Sequence, residues 1–216
     1  DAGTRAAATV TKADGSSFRE FVVLTQDDVW LRRGEGFGEV LPRHGGTSDN
    51  LTDAAHSGQA ALNYRTEPLW KRKGYEPDRD GGFTRNLDFT DVLTNAQVGG
   101  EDPVTPVFTA EAGEAVWFRF LNPGGHGHGH VPAVHGHNWQ QLPWVNASTE
   151  IGDNPLSEWK GAWEGHGPGS HINLILNDGA GGAFEVPGDY LYRTQGPSFR
   201  FDQGMWGILR VVPSSE

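Results

Sequence analysis

Cysteine is absent from the 216 residues, which excludes disulfides, thiolate nucleophiles, zinc fingers and iron–sulfur clusters together. The compartment stays open on that ground, because secreted domains without disulfides are common. Methionine occurs once. Positive charge is scarce: 17 Lys and Arg face 28 Asp and Glu, a formal net charge of −11. That balance argues against a phosphate backbone, and so against nucleic acid, as a partner. No apolar run approaches the ~20 residues needed to span a bilayer. Helical periodicity is nearly missing, as are a Gly-x-Ser-x-Gly elbow, a phosphate-binding loop and any internal repeat.

What remains is rich in turn formers and aromatics: 31 Gly, 13 Pro and 8 Trp, the composition of strands joined by many turns. Residues 18–31, "FREFVVLTQDDVWL", predict a strand or a hairpin turning at Asp27-Asp28. Residues 32–58 and 67–82 predict long loops, with one helical turn near Trp70 and a short strand at 61–65. A loop region of that length is expected to cover a neighbouring surface.

From Pro103 the pattern is regular. A strand, a tight turn over Glu111–Glu114 and a second strand alternating Val116, Phe118 and Phe120 with Trp117 and Arg119 are followed by strands at 131–140, 170–178, 182–194 and 204–212. Six strands at near-regular spacing predict an all-β, Greek-key β-sandwich or barrel over 103–216, with a loop-rich extension over 1–102 that packs on the core or on a partner.

Five of the nine histidines fall within "GGHGHGHVPAVHGHNW", residues 124–139. In an extended strand, residues i and i+2 share a face about 6.6 Å apart. His135-Gly136-His137 therefore has the spacing to aim two imidazoles at one metal, and the glycine admits a close neighbour. The competing reading is a structural pair, hydrogen-bonded near Asn138 and Trp139. His126, His128 and His130 are spaced alike but separated by glycine, so they suit either a solvent-facing loop or loose transition-metal binding, with copper favoured on affinity. His166 and His171 flank a Gly-Pro-Gly-Ser turn and read as ordinary loop and strand-edge residues; His44 and His56 have no partner by spacing. "DRDGG" (78–82) is half a calcium loop and reads as a turn. Asn50-Leu51-Thr52 and Asn146-Ala147-Ser148 fit the glycosylation acceptor pattern.

Five stretches in order, "AGEAVWFRFLNPG", "VHGHNWQ", "GPGSHINLIL", "PGDYLYRTQ" and "GMWGILRVV", resemble a terminal cupredoxin domain of the multicopper oxidase family. The resemblance implies a cupredoxin-type sandwich, and places His130, His135 and His137 on the family's His-x-x-His-x-His-x-His run with Ala133 in place of a histidine. It also puts Gln195 where the family has its copper-binding Cys, Thr194 and Gly196 where that Cys has flanking histidines, and Arg200 where the next ligand stands; Met205 survives. A blue-copper centre needs the thiolate, so the resemblance implies a chain that cannot build one alone. Residues 44–69, with "NYRTEP", resemble a connecting region of large members of the family and imply a terminal piece, or a subunit beside a larger oxidase-like protein.

Three readings follow. One is a non-catalytic cupredoxin-like domain with a structural or assembly role and residual copper at His135 and His137, its partners being other cupredoxin domains, a partner subunit or copies of itself. Another is a half-site whose copper cluster is completed by a second chain or domain. The last is a metal buffer using residues 126–137. The opening at Asp1 suggests processing, and a cleaved export signal would place the protein outside the cell or in the periplasm.

Overall fold

Alternating burial along 105–122 becomes two strands, β4 (Val107–Glu111) and β5 (Val116–Asn122). In β5, Val116, Phe118 and Phe120 point inward, while Trp117 and Arg119 are half-exposed on the outer face. The computed structural model describes residues 6–29, 59–65, 67–69, 72, 102–124, 129–163, 165–195, 201 and 204–215. Before β4 come β1 (Ala7–Thr11), β2 (Ser17–Val29) and β3 (Gln59–Leu62); after β5 come β6 (Pro132–Val134), β7 (Trp139–Gln140), β8 (Trp159–Lys160), β9 (Ser170–Ile175), β10 (Gly188–Thr194) and β11 (Trp206–Val212).

The strands form two facing sheets. The first has the order β1-β2-β5-β9, with β3 also paired to β2; the second has the order β4-β11-β10-β6; β7 and β8 make a small ribbon. The pairs β2–β5 and β4–β11 are parallel, the others antiparallel. From β2 onward the chain crosses between the sheets repeatedly, from β2 to β4, to β5, to β6 and to β9, before closing with β10 and β11. The all-β Greek-key sandwich expected from the pattern is the architecture present.

Aromatic rings fill the gap between sheets. Phe21 stacks on Phe108 at 4.7 Å, and Phe108 on Tyr192 at 5.5 Å, while Phe118 touches all three. β2 lies before residue 103, yet it is an inner strand of the first sheet, and its Phe21 and Val23 share the core of Phe118 and Leu174.

Two local expectations are corrected. Asp27-Asp28 does not turn the chain: β2 continues through it, because β3 offers a partner edge at Thr25, Gln26 and Val29, and the two aspartates fall at a register shift between Gln26 and Val29. A bulge absorbs them, as it does residues that do not fit the ladder. Residues 131–140 are not one strand either. β6 ends at Val134, the chain turns at His135-Gly136, and β7 begins at Trp139.

The surface that the loop-rich stretch covers includes the protein's own second sheet. Leu69 is buried with Phe201, Trp206 and Ile208 on the outer face of β11. The Trp206 Nε1–H donates to the Glu67 carbonyl at 3.0 Å, and the Glu67 carboxylate accepts from Arg72 and from the Val104 N–H. The helical turn expected near Trp70 is present in the described residues beside it: Leu69 and Arg72 are helical, and the Arg72 N–H donates to the Pro68 carbonyl at 3.1 Å. All of the loop over 32–58, the DRDGG turn and Asn50 lie outside the described residues.

Candidate metal centre

The chain turns at His135-Gly136 instead of running extended, so the i, i+2 spacing does not by itself set the two imidazoles on one face. Gly136 has φ +75°, in the region that favours glycine, and a Cβ on it would meet the Tyr190 ring at 3.0 Å. The close neighbour that the glycine admits is therefore Tyr190. The His137 N–H closes the turn on the Val134 carbonyl at 3.2 Å. As a result His135 is exposed while His137 is buried.

Each ring has found a partner within the fold. The backbone N–H of Gly181 donates to His137 Nε2 at 3.0 Å, so that nitrogen is the acceptor. Nδ1 then carries the proton, donated to the His135 carbonyl at 2.9 Å. The ring also packs edge-on against Tyr190 at 4.8 Å. Both lone-pair and proton positions of His137 are used, which ties the 135–138 turn to the loop before residue 182. His135 Nε2 accepts from Arg193 Nε at 3.2 Å, placing a permanent cation where a metal would sit. A shared copper does not fit this pair as placed: one ring would have to release Gly181, the other to displace Arg193.

The remaining candidates separate. His126, His128, His44 and His56 lie outside the described residues, as do Gly196 and Arg200. His130 is fully buried and bridged to His166, also buried, while His171 is exposed on β9. Met205 is a core residue at 0% exposure. Thr194 is buried and its hydroxyl accepts from the Val131 N–H at 2.9 Å, while Gln195 is exposed. Gln195 lines a shallow depression of about 380 Å³ with Val134, His135, Gly136, His137, Asn138 and Gly161. Among the described residues, no group of three or more His, Cys, Asp or Glu is gathered so as to hold an ion. The pairing of His130 with His166 escaped the sequence reading, since Gly-Pro-Gly-rich flanks carry no alternation from which a register is read.

Burial holds His137 and His166 below the ordinary imidazole pKa, hydrogen bonds to the His135 and Ser170 carbonyls oppose the shift in part, and for His166 the nearby His130 and His171 act in the same direction as burial. His135 is also lowered, by desolvation first and then by the Arg193 cation. The unfolded chain therefore binds more protons than the folded one just below the free imidazole pKa of ~6.5, so stability rises with pH there. The contribution is complete above ~6.5 and is lost as pH falls through the folded values, with a limiting slope of about 1.4 kcal/mol per pH unit for each fully differential group. Urea midpoints followed by Trp fluorescence should thus drop between pH 7.5 and 5, and His137→Gln should flatten the dependence. A flat or rising midpoint in the parent protein would overturn the neutral-imidazole assignment.

With this geometry the fold can be placed. It is an all-β sandwich of two facing sheets with mixed parallel and antiparallel pairing. No family model matches the sequence, and no curated protein matches it. Among solved structures, it is similar to a multicopper oxidase from Campylobacter jejuni described as a metallo-oxidase, at 13% identity and a TM-score of 0.46. The match covers 89% of this chain and 29% of that one, so the chain spans under a third of its neighbour's length. No helix among the described residues is long and apolar enough to cross a membrane.

Proposed function

We propose that this chain is a non-catalytic cupredoxin-like domain with a structural or assembly role in a multicopper-oxidase-like protein, working outside the cell or in the periplasm. The observation that carries this reading is His137: both its ring nitrogens serve the fold. A histidine so engaged supports the turn it stands on and has no nitrogen left for copper. The chain has no cysteine to make a blue centre, and Gln195 stands exposed where the resemblance puts one.

The assembly role draws support from apolar side chains left on the surface. Leu142, Leu156 and Trp159 are 53%, 88% and 54% exposed, and Trp159 borders a groove with Trp117, Pro143, Ile151 and Ile175. Exposed apolar clusters with a polar surround are the usual mark of a contact surface. Other cupredoxin domains, a partner subunit or a second copy of the chain would be its occupants.

The test is copper chemistry on the protein as isolated with whatever co-purifies. Added Cu(II) should give no intense blue absorption and no oxidase turnover, and copper content should be the same in a His135→Ala/His137→Gln double variant. Loss of both copper and activity in that variant would favour the half-site reading instead. Several equivalents of Cu(II) per chain, weakening as pH falls through ~6.5, would favour the metal buffer.

A further inference from the structure

A groove of about 420 Å³ opens where residues of the β7–β8 ribbon meet the end of β9. That volume lies within the ~300–1,000 Å³ usual for small-ligand sites. Strand pairing fixes its walls. Trp159 stands opposite Gln140 across the ribbon, and Ile175 opposite Trp117 across β9 and β5. The Gly152 N–H closes a further wall on the Pro143 carbonyl at 2.9 Å. The Trp117 ring is already engaged: it stacks on Phe18 at 4.0 Å, and the Arg119 guanidinium lies over it at 5.4 Å. The ring that offers surface to a ligand is therefore Trp159, which is more than half exposed. Asp153 and Asp178 are exposed in the same groove. Gln140 Nε2 donates to the Asp153 carboxylate and Asn177 Nδ2 to that of Asp178, each at 2.7 Å. These bonds steady the two carboxylates and use one oxygen of each. A carboxylate offers about four lone-pair sites, so accepting capacity remains.

We propose that this groove binds a pyranose ring of a neutral glycan, with Trp159 as the stacking platform and Asp153 and Asp178 as acceptors for its hydroxyls. A pyranose joins an apolar C–H face to a rim of O–H donors. The face of an indole is negative and attracts those C–H bonds, and a carboxylate accepts from hydroxyls in charge-assisted bonds stronger than neutral ones. A wholly apolar ligand would desolvate both carboxylates with nothing in return. A proline-rich peptide needs a groove lined by several aromatic faces, and here Trp117 is already stacked. Charge selects among glycans. Asp153 and Asp178 outweigh Lys12 in the groove, and the chain carries −11 overall, so uronic and sulfated sugars are repelled. The site goes beyond the assembly role, because neither Leu142 nor Leu156 lines it.

The experiment is titration of the full chain with cellotetraose, chitotetraose and mannotetraose, followed by Trp fluorescence, with tetragalacturonate as the anionic counterpart. At least one neutral sugar should bind saturably, and tetragalacturonate at least tenfold more weakly. Trp159→Ala should weaken binding at least tenfold and Trp159→Tyr far less, both at the parent's melting temperature, since the ring is on the surface. Asp178→Asn should weaken it severalfold without loss of fold, because Asn tolerates the φ of +58° held there. Leu142→Ser/Leu156→Ser should leave sugar binding unchanged whatever it does to assembly. No saturable binding of any neutral sugar at millimolar concentration, equal binding of tetragalacturonate, or full affinity in Trp159→Ala would each overturn the site. Self-association abolished by Trp159→Ala, in the absence of sugar binding, would overturn it too and give the groove to a second copy of the chain. Blue absorption and oxidase turnover, which decide the preceding reading, move with none of these variants.

Discussion

Phe118→Ala is expected to destabilise the protein by about 3–5 kcal/mol, the range for deleting a fully buried phenylalanine. Phe118 is 0% exposed at the middle of β5. Its ring lies 5.3 Å from Phe21, 5.9 Å from Phe120 and 5.5 Å from Tyr192, so it touches the neighbouring strand β2, its own strand and the facing sheet. Backbone pairing to Phe21 on one side and Leu174 on the other prevents β5 from shifting to close the hole. For a chain of this size the loss corresponds to a melting temperature lower by about 6–20 °C. Chemical denaturation of the two proteins decides it, and a change under ~1 kcal/mol would place the ring outside the central packing.

Gly207→Ala should be the next most damaging change, at about 2–4 kcal/mol, since it adds bulk and endangers a buried hydrogen bond together. Gly207 faces Tyr192 across the β10–β11 pair. A Cβ there would come within 2.2 Å of the Tyr192 ring carbon and hydroxyl and 2.6 Å of the Pro106 carbonyl. The Tyr192 hydroxyl donates to that same carbonyl at 2.8 Å. Moving the ring aside would break this bond of a tyrosine that is 0% exposed. The phenol is already held in its neutral form by burial, its pKa raised well above the usual value. Thermal melts compare the variants directly, and a shift within ±1 °C would show that the ring does not rest on the glycine.

The strands were legible in the sequence where one face of a sheet is buried. β5, β9 and β11 put apolar residues inward at every second position or in a continuous run, and those patterns arise from the core itself. Positions ruled by neighbours distant in the chain were not legible. The aspartates of β2 look like a turn until β3 is seen beside them. Residues 67–69 look like loop until Trp206 reaches the Glu67 carbonyl. Among the candidate ligands, the alternation that makes His-x-His a metal pair presumes an extended chain, and Gly136 with Tyr190 behind it removes that premise. Asn138 and Trp139 did mark the structural alternative for His137, although the partners that realise it are Gly181 and His135. His166 was read as an ordinary loop residue, and its burial against His130 depends on a bridge that no local spacing reports.

The placement of β11 governs how the molecule can come into being. The last of the described strands in chain order fills the slot between β4 and β10, with β4 alongside it in parallel. Until the ribosome has extended past Val212, β4 lacks its one neighbour among the described strands of its sheet, the core between the sheets lacks Leu209 and Val211, and the outer cluster lacks Trp206 and Ile208. Closure of the second sheet must therefore wait for that segment to emerge, because its pairing with β4 joins parts of the chain that are far apart in sequence.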